Sequence, residues 1–464
     1  MAGRPGSRLI AAAAIALAAA VGAARAATPV PGAARAAAPA PVAGPMAGPD
    51  LASPTPAARP GSRPAATAGL SAESLRRRLA SQMRATGGAS GALVVDLDAR
   101  AGGGQIFSWA SRTPRILASN MKLFTTSALL ERYGAAKTFS TRLWVLGRRS
   151  GQSGRVLRGG LGLVGSGDPA LADGDFARQS NLPLTRLRPL ARAVKAAGIH
   201  VLHGGVVADQ SVFDPRRTIP QGGVTGGPYL GSLSGLDYDS GYVHGHLASR
   251  PARVAGRALV AKLRAEGVRV TGKVRVGHVR ASTRRGSPLG AVASPDVGEL
   301  IADTNRPSNN FFAEMLLKRL AAAGHHRGTT ARGVRIVERF ARRAGSSVRA
   351  QNGSGLSRFD RASPRDVVGL LRSMAGRGDA GVFRSSLPAA CKEGTLTGRM
   401  CGTAAEGHCR AKTGTLSGVS ALSGYCEARH HHLLAFSLLM NNVNIDVAHT
   451  HQDRIASLIA RYSP

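Results

Sequence analysis

Residues 119–134 read SNMKLFTTSALLERYG. The apolar residues of this stretch fall on nearly every side of a helix, so the segment is predicted to be a helix buried within a core. Gly134 supplies a natural C-terminal stop. Ser119 and Lys122 lie three positions apart and therefore share one face of this helix. The stretch thus predicts a lysine among apolar side chains that points into the same cleft as a serine hydroxyl.

Two further short motifs follow along the chain. Ser308–Asn310 reads SNN and begins 189 residues after Ser119 (308 − 119), and Lys412–Gly414 reads KTG. Of the eight lysines, one has a serine three positions before it and one is followed by Thr-Gly, and Ser-x-Asn occurs once. Each motif alone has a simple structural explanation, such as a serine that caps the helix after it. Three single occurrences in this order indicate a serine nucleophile with accessory groups.

These residue types fit acyl-transfer chemistry. A serine hydroxyl is a weak nucleophile until a base takes its proton. Lys122 can be that base if burial and a second cation, Lys412, lower its pKa. Ser308 can relay the proton to a leaving amine. Ser119, Lys122 and Ser308 are therefore the predicted catalytic residues.

The remaining motif residues are predicted to bind the substrate. Asn310 can hold a peptide amide, and Thr413 and Thr415 can bind a terminal carboxylate. Gly414 lets a substrate backbone approach the strand that carries it. The backbone N–H groups of Ser119 and Thr415 would form an oxyanion hole.

The sequence resembles the penicillin-binding D-alanyl-D-alanine carboxypeptidase/endopeptidase family, in which a large domain is inserted between the first two motifs. The resemblance covers roughly residues 71–463 and extends to four further segments: 165–169 (GSGDP), 309–314 (NNFFAE), 353–358 (GSGLSR) and 394–396 (GTL). The sequence departs from the family pattern at Asn352, where aspartate is common, and the insertion is short.

The resemblance and the element pattern together predict an α+β fold: a serine β-lactamase/transpeptidase-like domain, with an antiparallel sheet flanked by helices, split by an inserted α/β-type domain. Strands are predicted at Ala89–Leu97, at Ala411–Tyr425 and at Leu433–Met440, the last two joined by a His-rich turn. The predicted divisions are a signal peptide (1–26), an Ala/Pro-rich linker (27–69), the first part of the transpeptidase-like domain (71–140), the insertion (141–293) and the second part (294–464).

The activity that the resemblance implies is that of a D-alanyl-D-alanine carboxypeptidase acting on peptidoglycan stem peptides through an acyl-enzyme. β-Lactams would acylate Ser119, and the reaction needs no metal or other cofactor. The alternatives are an endopeptidase that cleaves peptidoglycan cross-links, a β-lactamase, and a basic non-catalytic protein that binds the wall. A β-lactamase of class A would need a Glu-x-x-Leu-Asn segment, which the sequence lacks.

Charge and the N-terminus bear on location and partners. The chain has 62 basic and 26 acidic residues, a net charge of +36, which attracts polyanions such as acidic cell-wall polymers. A simpler interpretation is that the high arginine content reflects coding bias and that these side chains only solvate the surface. Arg4 and Arg8, the apolar run Leu9–Val21 and the small residues near Ala26 are typical of a secretory signal. We therefore expect export to the periplasm, cell wall or medium. Nucleic acid is not an expected partner, since export and the lack of aromatic-basic stacking motifs disfavour it.

The cysteines and the histidines are further candidate sites. Cys391, Cys401, Cys409 and Cys426 form an even set, which in an exported protein favours disulfides. No Cys-x-x-Cys pair exists, so a zinc site is disfavoured. Three pairings are possible; the short spacing favours 401 with 409, as a hairpin cross-link, and leaves 391 with 426. The run His430–His432 is not expected to bind metal, because consecutive residues on a turn point in divergent directions.

Overall fold

The structure is a computed structural model that describes residues 69–99, 104–151, 154–173, 183–219, 230–243, 246–324 and 326–464. The predicted signal peptide, and the predicted linker up to residue 68, lie outside the described residues. Within the described ranges no helix is both long and apolar enough to cross a membrane.

The helices are α1 (Ala72–Ala85), α2 (Met121–Tyr133), α3 (Arg188–Ala196), α4 (Pro251–Ala265), α5 (Val297–Asn305), α6 (Asn310–Ala321), α7 (Thr330–Arg343), α8 (Pro364–Ala375), α9 (Ala380–Ser385) and α10 (Ile445–Ala460). The strands are β1 (Ala89–Asp96), β2 (Gln105–Trp109), β3 (Arg115–Ile116), β4 (Ser140–Val145), β5 (Arg148–Ser150), β6 (Val156–Arg158), β7 (Leu161–Val164), β8 (Val201–Leu202), β9 (Val206–Asp209), β10 (Tyr242–Val243), β11 (His246–Leu247), β12 (Arg269–Val270), β13 (Arg275–Val276), β14 (Arg285–Ala293), β15 (Arg361–Ala362), β16 (Cys409–Leu416), β17 (Val419–Glu427) and β18 (Leu433–Asn441).

A five-stranded antiparallel sheet joins the two ends of the described chain in the order β16-β17-β18-β1-β2. Successive side chains of a strand point to opposite faces. Val94 therefore packs with α1 and α10 on one face, whereas Leu93 joins the helical core on the other. Helices α5, α6 and α7 pack around α2 in that helical core. The predicted α+β fold, with an antiparallel sheet flanked by helices, is confirmed.

The buried helix predicted from residues 119–134 is also confirmed. Ala118–Asn120 form a single 3-10 turn that leads directly into α2. Every residue from Met121 to Leu130 is buried, and the helix ends at Gly134, whose φ is 72°. A left-handed φ of this kind favours glycine, which explains the stop.

Residues between α2 and α5 build two larger sheets, with the strand orders β12-β8-β6-β5 and β13-β9-β7-β4-β14, and the two-stranded sheet β10-β11. Strands β7 and β9 run parallel, as do β6 and β8, and helices α3 and α4 pack with them. The core of this region draws its buried residues from positions 143–292 alone. However, Phe213, Ile219 and Leu233 pack instead into the helical core around α2.

The strand predicted over Ala411–Tyr425 is wrong, because the chain reverses at residues 417–418. Gly418, with φ of 69°, allows the tight turn, and β16 and β17 pair antiparallel on either side of it.

The same hairpin overturns the expected disulfides. Cys409 lies directly opposite Cys426 in the β16–β17 pairing, and these two residues are bonded. Cys391 is bonded to Cys401. The expected pairs, 401 with 409 and 391 with 426, are therefore wrong, because the hairpin turn falls after Cys409 rather than before it.

Candidate active site

The side chains of Ser119 and Lys122 meet at the N-terminal end of α2. Lys122 Nζ donates hydrogen bonds to Ser119 Oγ (2.9 Å), to Asn310 Oδ1 (2.7 Å) and to the Ser354 carbonyl oxygen (2.7 Å). The lysine side chain is fully buried. Three acceptors thus fix the amine beside the serine hydroxyl, and one of them comes from the second sequence motif.

Burial sets the protonation of the two motif lysines. Loss of solvent lowers the pKa of Lys122 from 10.5 to about 7, while the charges of Glu314 and Asp360 act in the opposite direction. The pKa of Lys412 lies well below its ordinary value, first because that side chain is buried and second because Lys122 repels its charge. The sequence suggested that a second cation would lower the pKa of Lys122; in the structure burial is the largest cause for both lysines, and the repulsion between them disfavours a proton on both amines at once.

Two buried carboxyl groups that sequence reasoning missed support this arrangement. Glu314 Oε1 accepts hydrogen bonds from the backbone N–H groups of Gly353 (2.9 Å) and Ser354 (2.8 Å). It therefore holds the segment whose carbonyl receives Lys122. Asp360 Oδ1 accepts from the Gln351 N–H (2.6 Å) at the start of the same segment. Burial raises the pKa of both carboxyl groups, that of Asp360 to about 7.

The segment Asn352–Ser357 is pressed against the Ala118–Asn120 turn. Gly355 has φ of 85°, and a Cβ at this position would collide with the Ala118 carbonyl oxygen. The resemblance drew attention to residues 353–358 and to Glu314 within 309–314, but it gave no reason for a buried acid there. The sequence therefore marked the segment that contains Glu314, but only the structure shows that this carboxyl group holds Gly353 and Ser354.

The second motif forms the entrance to α6. Asn309, rather than Ser308, is the N-cap, since its side chain accepts from the Phe312 N–H (3.1 Å). The simple alternative in which Ser308 caps this helix is therefore not what the structure has. Ser308 is half-buried with φ of 60°, a left-handed conformation that is uncommon for serine. Its hydroxyl makes no hydrogen bond with Ser119 or Lys122 in the structure.

The third motif lies on β16, the edge strand next to the Ala118–Asn120 turn. Asn120 Nδ2 donates to the Lys412 carbonyl oxygen (3.0 Å), which ties the strand to the turn. A Cβ at Gly414 would lie 2.9 Å from the Leu117 carbonyl oxygen and 3.0 Å from the Ser119 nitrogen. Glycine is therefore needed for this close approach. Thr413 Oγ1 donates to Thr395 Oγ1 (2.8 Å), and Thr415 is exposed on the same strand.

Within the part of the chain that the structure describes, one group of side chains has the spacing of metal ligands: Asp96, Asp98 and His432. His432 Nδ1 lies 2.8 Å from Asp96 Oδ2, so two of the three already pair with each other. His430 and His431 are not part of this group. The group of Asp96, Asp98 and His432 makes no hydrogen bond with Ser119 or Lys122.

The sequence matches one protein family and several known carboxypeptidases. A sequence model of the D-Ala-D-Ala carboxypeptidase 3 (S13) family matches residues 72–222 and 240–462. The D-alanyl-D-alanine carboxypeptidase of Actinomadura sp. (strain R39) is 30% identical over 459 residues, which covers 81% of this chain and 82% of that protein. Carboxypeptidase DacB of Mycolicibacterium smegmatis is 28% identical and covers 73% and 74%.

Solved structures share the fold. The crystal structure of penicillin binding protein 4 from Haemophilus influenzae superposes with a TM-score of 0.70 at 18% identity, covering 83% of this chain and 99% of that one. A predatory peptidoglycan endopeptidase from Bdellovibrio bacteriovorus gives a TM-score of 0.51 at 16% identity, covering 80% and 92%. At these identities the likeness establishes the architecture alone.

Proposed function

Because the chain belongs to the D-Ala-D-Ala carboxypeptidase 3 (S13) family, we propose that Ser119 is the nucleophile of its acyl-transfer reaction. The protein is a serine-type D-alanyl-D-alanine carboxypeptidase that acts on peptidoglycan stem peptides and is inhibited by β-lactams. The observation that carries the residue assignment is the buried amine of Lys122, with a pKa of about 7, placed 2.9 Å from Ser119 Oγ.

Acylation begins when Lys122, in its neutral form, takes the proton of Ser119 Oγ. The oxygen attacks the carbonyl carbon of the penultimate D-alanine, and the peptide bond to the terminal D-alanine breaks. Ser308 relays the proton from Lys122 to the departing amine, so that D-alanine leaves neutral at nitrogen. Water then hydrolyses the ester, with Lys122 again taking a proton, and Ser119 is restored.

Substrate groups are proposed to bind along β16. The backbone N–H groups of Ser119 and Thr415 stabilise the oxyanion that develops on the carbonyl oxygen. Thr413 and Thr415 bind the terminal carboxylate, and Lys412 holds the local potential positive when it is protonated. Asn310, whose side-chain oxygen accepts from Lys122, presents its amide to the substrate peptide. The close fit of Gly414 against the Ser119 turn supports this assignment, because it holds the strand that carries Thr415 next to the Ser119 backbone nitrogen.

Two organisational features belong to the same proposal. We propose that residues 141–293 are an inserted domain; the separate core drawn from residues 143–292 supports this. We also propose that the chain is exported and that its charge of +36 holds it near anionic wall polymers. The two disulfides support export, since disulfides persist in oxidising compartments.

The experiment that tests the function compares two substrates. A wall pentapeptide ending in D-Ala-D-Ala and a cross-linked dimer of stem peptides are incubated with the protein and with Ser119→Ala. Release of D-alanine from the pentapeptide, lost in the variant, is expected. Cleavage of the dimer with no release of D-alanine would instead establish the endopeptidase alternative.

A further inference from the structure

A polar cavity of about 300 Å³ lies beyond the far end of α2 from Ser119. The helix has 13 residues, so at about 1.5 Å per residue the cavity is about 20 Å from the catalytic serine. Its walls come from the chain that follows α2, from β4 and β7, from the approach to β14, and from α6. The lining residues used below are Lys137, Thr138, Ser140, Arg142, Arg284 and Arg319.

The charge of this cavity is one-sided. Lys137, Arg142, Arg284 and Arg319 contribute four cations, and none of the described lining residues carries a carboxylate. Lys137 and Arg142 make no side-chain hydrogen bond or ion pair with any described residue. Four like charges around one small space repel one another unless an anion joins them.

Two of the arginines are half-buried, and the hydrogen bonding of their guanidinium groups is incomplete. Arg284 lies over the Trp144 ring (5.0 Å from Cζ to the centroid), and Arg319 lies over the Phe139 ring (4.6 Å). Contact with a ring face stabilises the charge but uses none of the N–H donors in the guanidinium plane, of which Arg284 Nη2 donates to the Val279 carbonyl oxygen (3.1 Å). The Nε atoms of both arginines are buried without a hydrogen-bond partner among the described residues. Buried charged donors are ordinarily paired, so the described part of the protein leaves the hydrogen bonding of both guanidinium groups incomplete.

The hydroxyl groups of Thr138, Ser140 and Ser166 supply further donors on the same wall. Ser166 belongs to the GSGDP segment at 165–169, which was noticed in the sequence and has no part in the proposed reaction. Its hydroxyl lies 3.3 Å from Thr141 Oγ1. The cavity is thus lined by donors of two kinds, charged and neutral, and by aromatic rings that fix the arginines in place.

We propose that this cavity binds the phosphate group of a phosphodiester polymer of the cell wall. Arginine side chains present paired N–H donors that match phosphate oxygens, and three arginines with one lysine suit an anion with several acceptor oxygens better than a single carboxylate. The volume accommodates one phosphate and part of the unit attached to it. The inference rests on the proposed wall location for the source of the phosphate, and it makes this cavity a docking point about 20 Å from the site that cleaves the peptide.

The test measures binding by titration calorimetry at low salt, with a glycerol phosphate oligomer and with inorganic phosphate as separate probes. The double variant Arg142→Gln/Arg284→Gln removes two charges of the cavity. The matched control, Arg335→Gln/Arg342→Gln, removes two exposed charges on α7. Thermal unfolding of each variant establishes that it is folded. D-Alanine release from the pentapeptide is measured in parallel and is expected to be unchanged in both.

The expected result is oligomer binding that weakens about tenfold or more in the cavity variant and less than about threefold in the control. Equal weakening in both variants would show diffuse attraction to a basic surface and overturn the proposal. So would binding of inorganic phosphate alone, or no binding of either probe. D-Alanine release is recorded independently of binding. Failure to bind the oligomer would therefore leave the carboxypeptidase assignment intact, whereas absence of D-alanine release by the parent protein would refute that assignment.

Discussion

The pH dependence of acylation is the most informative consequence of the buried Lys122. If this amine is the base, the rate constant for acylation by a β-lactam follows the fraction of Lys122 that is neutral. That fraction rises with pH, because loss of the proton makes the amine a base. With a pKa of about 7 the rate should therefore rise through neutral pH and then level off.

The magnitude follows from the two pKa values. Between the ordinary value of 10.5 and about 7 there are about 3.5 pH units, or about 5 kcal/mol, which correspond to about 3,000-fold in the ratio of neutral to protonated amine and to about 1,600-fold more neutral amine at pH 7. A pKa of about 7 predicts a rise of roughly 50-fold from pH 5 to 7 and only about twofold from pH 7 to 9. A lysine with its ordinary pKa would give about 100-fold in each interval.

The assay is stopped-flow acylation by a chromogenic β-lactam between pH 5 and 9, for the parent protein and Glu314→Gln. Glutamine keeps an acceptor for the Gly353 and Ser354 N–H groups but removes the charge that raises the pKa of Lys122. The midpoint should therefore move to lower pH. Glu338→Gln is the matched control, since Glu338 also accepts a backbone N–H, from Ala350 (3.2 Å), and is not among the charges that shift the pKa of Lys122. A rate constant that rises tenfold per pH unit up to pH 9, or one that does not change with pH, would show that a Lys122 amine of lowered pKa is not the base.

Three further outcomes follow from the same structure. Gly355→Ala should lower the free energy of unfolding by about 1–3 kcal/mol in denaturant titrations and slow acylation, because its φ of 85° and its contact with Ala118 admit no side chain; Gly381→Ala, with open space around it, is the control, and equal effects would contradict this. Replacing both Cys409 and Cys426 by alanine should cost about 2–4 kcal/mol and lower D-alanine release, whereas replacing Cys391 and Cys401 should affect release less; four free thiols in the exported protein would contradict the bonded pairs. Salt of about 1 M should release the protein from isolated walls, since charges are then screened over about 3 Å; retention at that salt would count against electrostatic attachment.

The parts of the fold that sequence predicted best are those governed by local patterns. The helix at residues 119–134 is apolar all round and ends in glycine, and both features are visible in the sequence without any knowledge of tertiary contacts. The order of the three motifs likewise predicted which segments meet: Lys122 contacts Asn310 in the structure, although they lie far apart along the chain.

The errors share one physical origin. The stretch Ala411–Tyr425 was predicted as one strand because its turn, Ser417-Gly418, contains a single glycine between apolar flanks. Once that turn was missed, Cys426 could not be placed opposite Cys409, and the short loop before β16 looked like the better site for a cross-link. The missed turn therefore led to the wrong prediction of the disulfide pairs.

The electrostatic environment of Lys122 was beyond sequence reasoning for a different reason. Glu314 and Asp360 act on the lysine only because α6 and the segment after α7 converge on α2. Nothing in their local sequence distinguishes a buried carboxyl group from an exposed one, since burial of an acid depends on which backbone N–H groups the fold brings to it.

One measurement tests the central assignment most directly: mass spectrometry of the protein after reaction with a penicillin, with the modified residue located by peptide mapping. We expect a single adduct, on Ser119, that disappears in a folded Ser119→Ala variant together with D-alanine release. An adduct on any other serine, or labelling that persists in the variant, would contradict it.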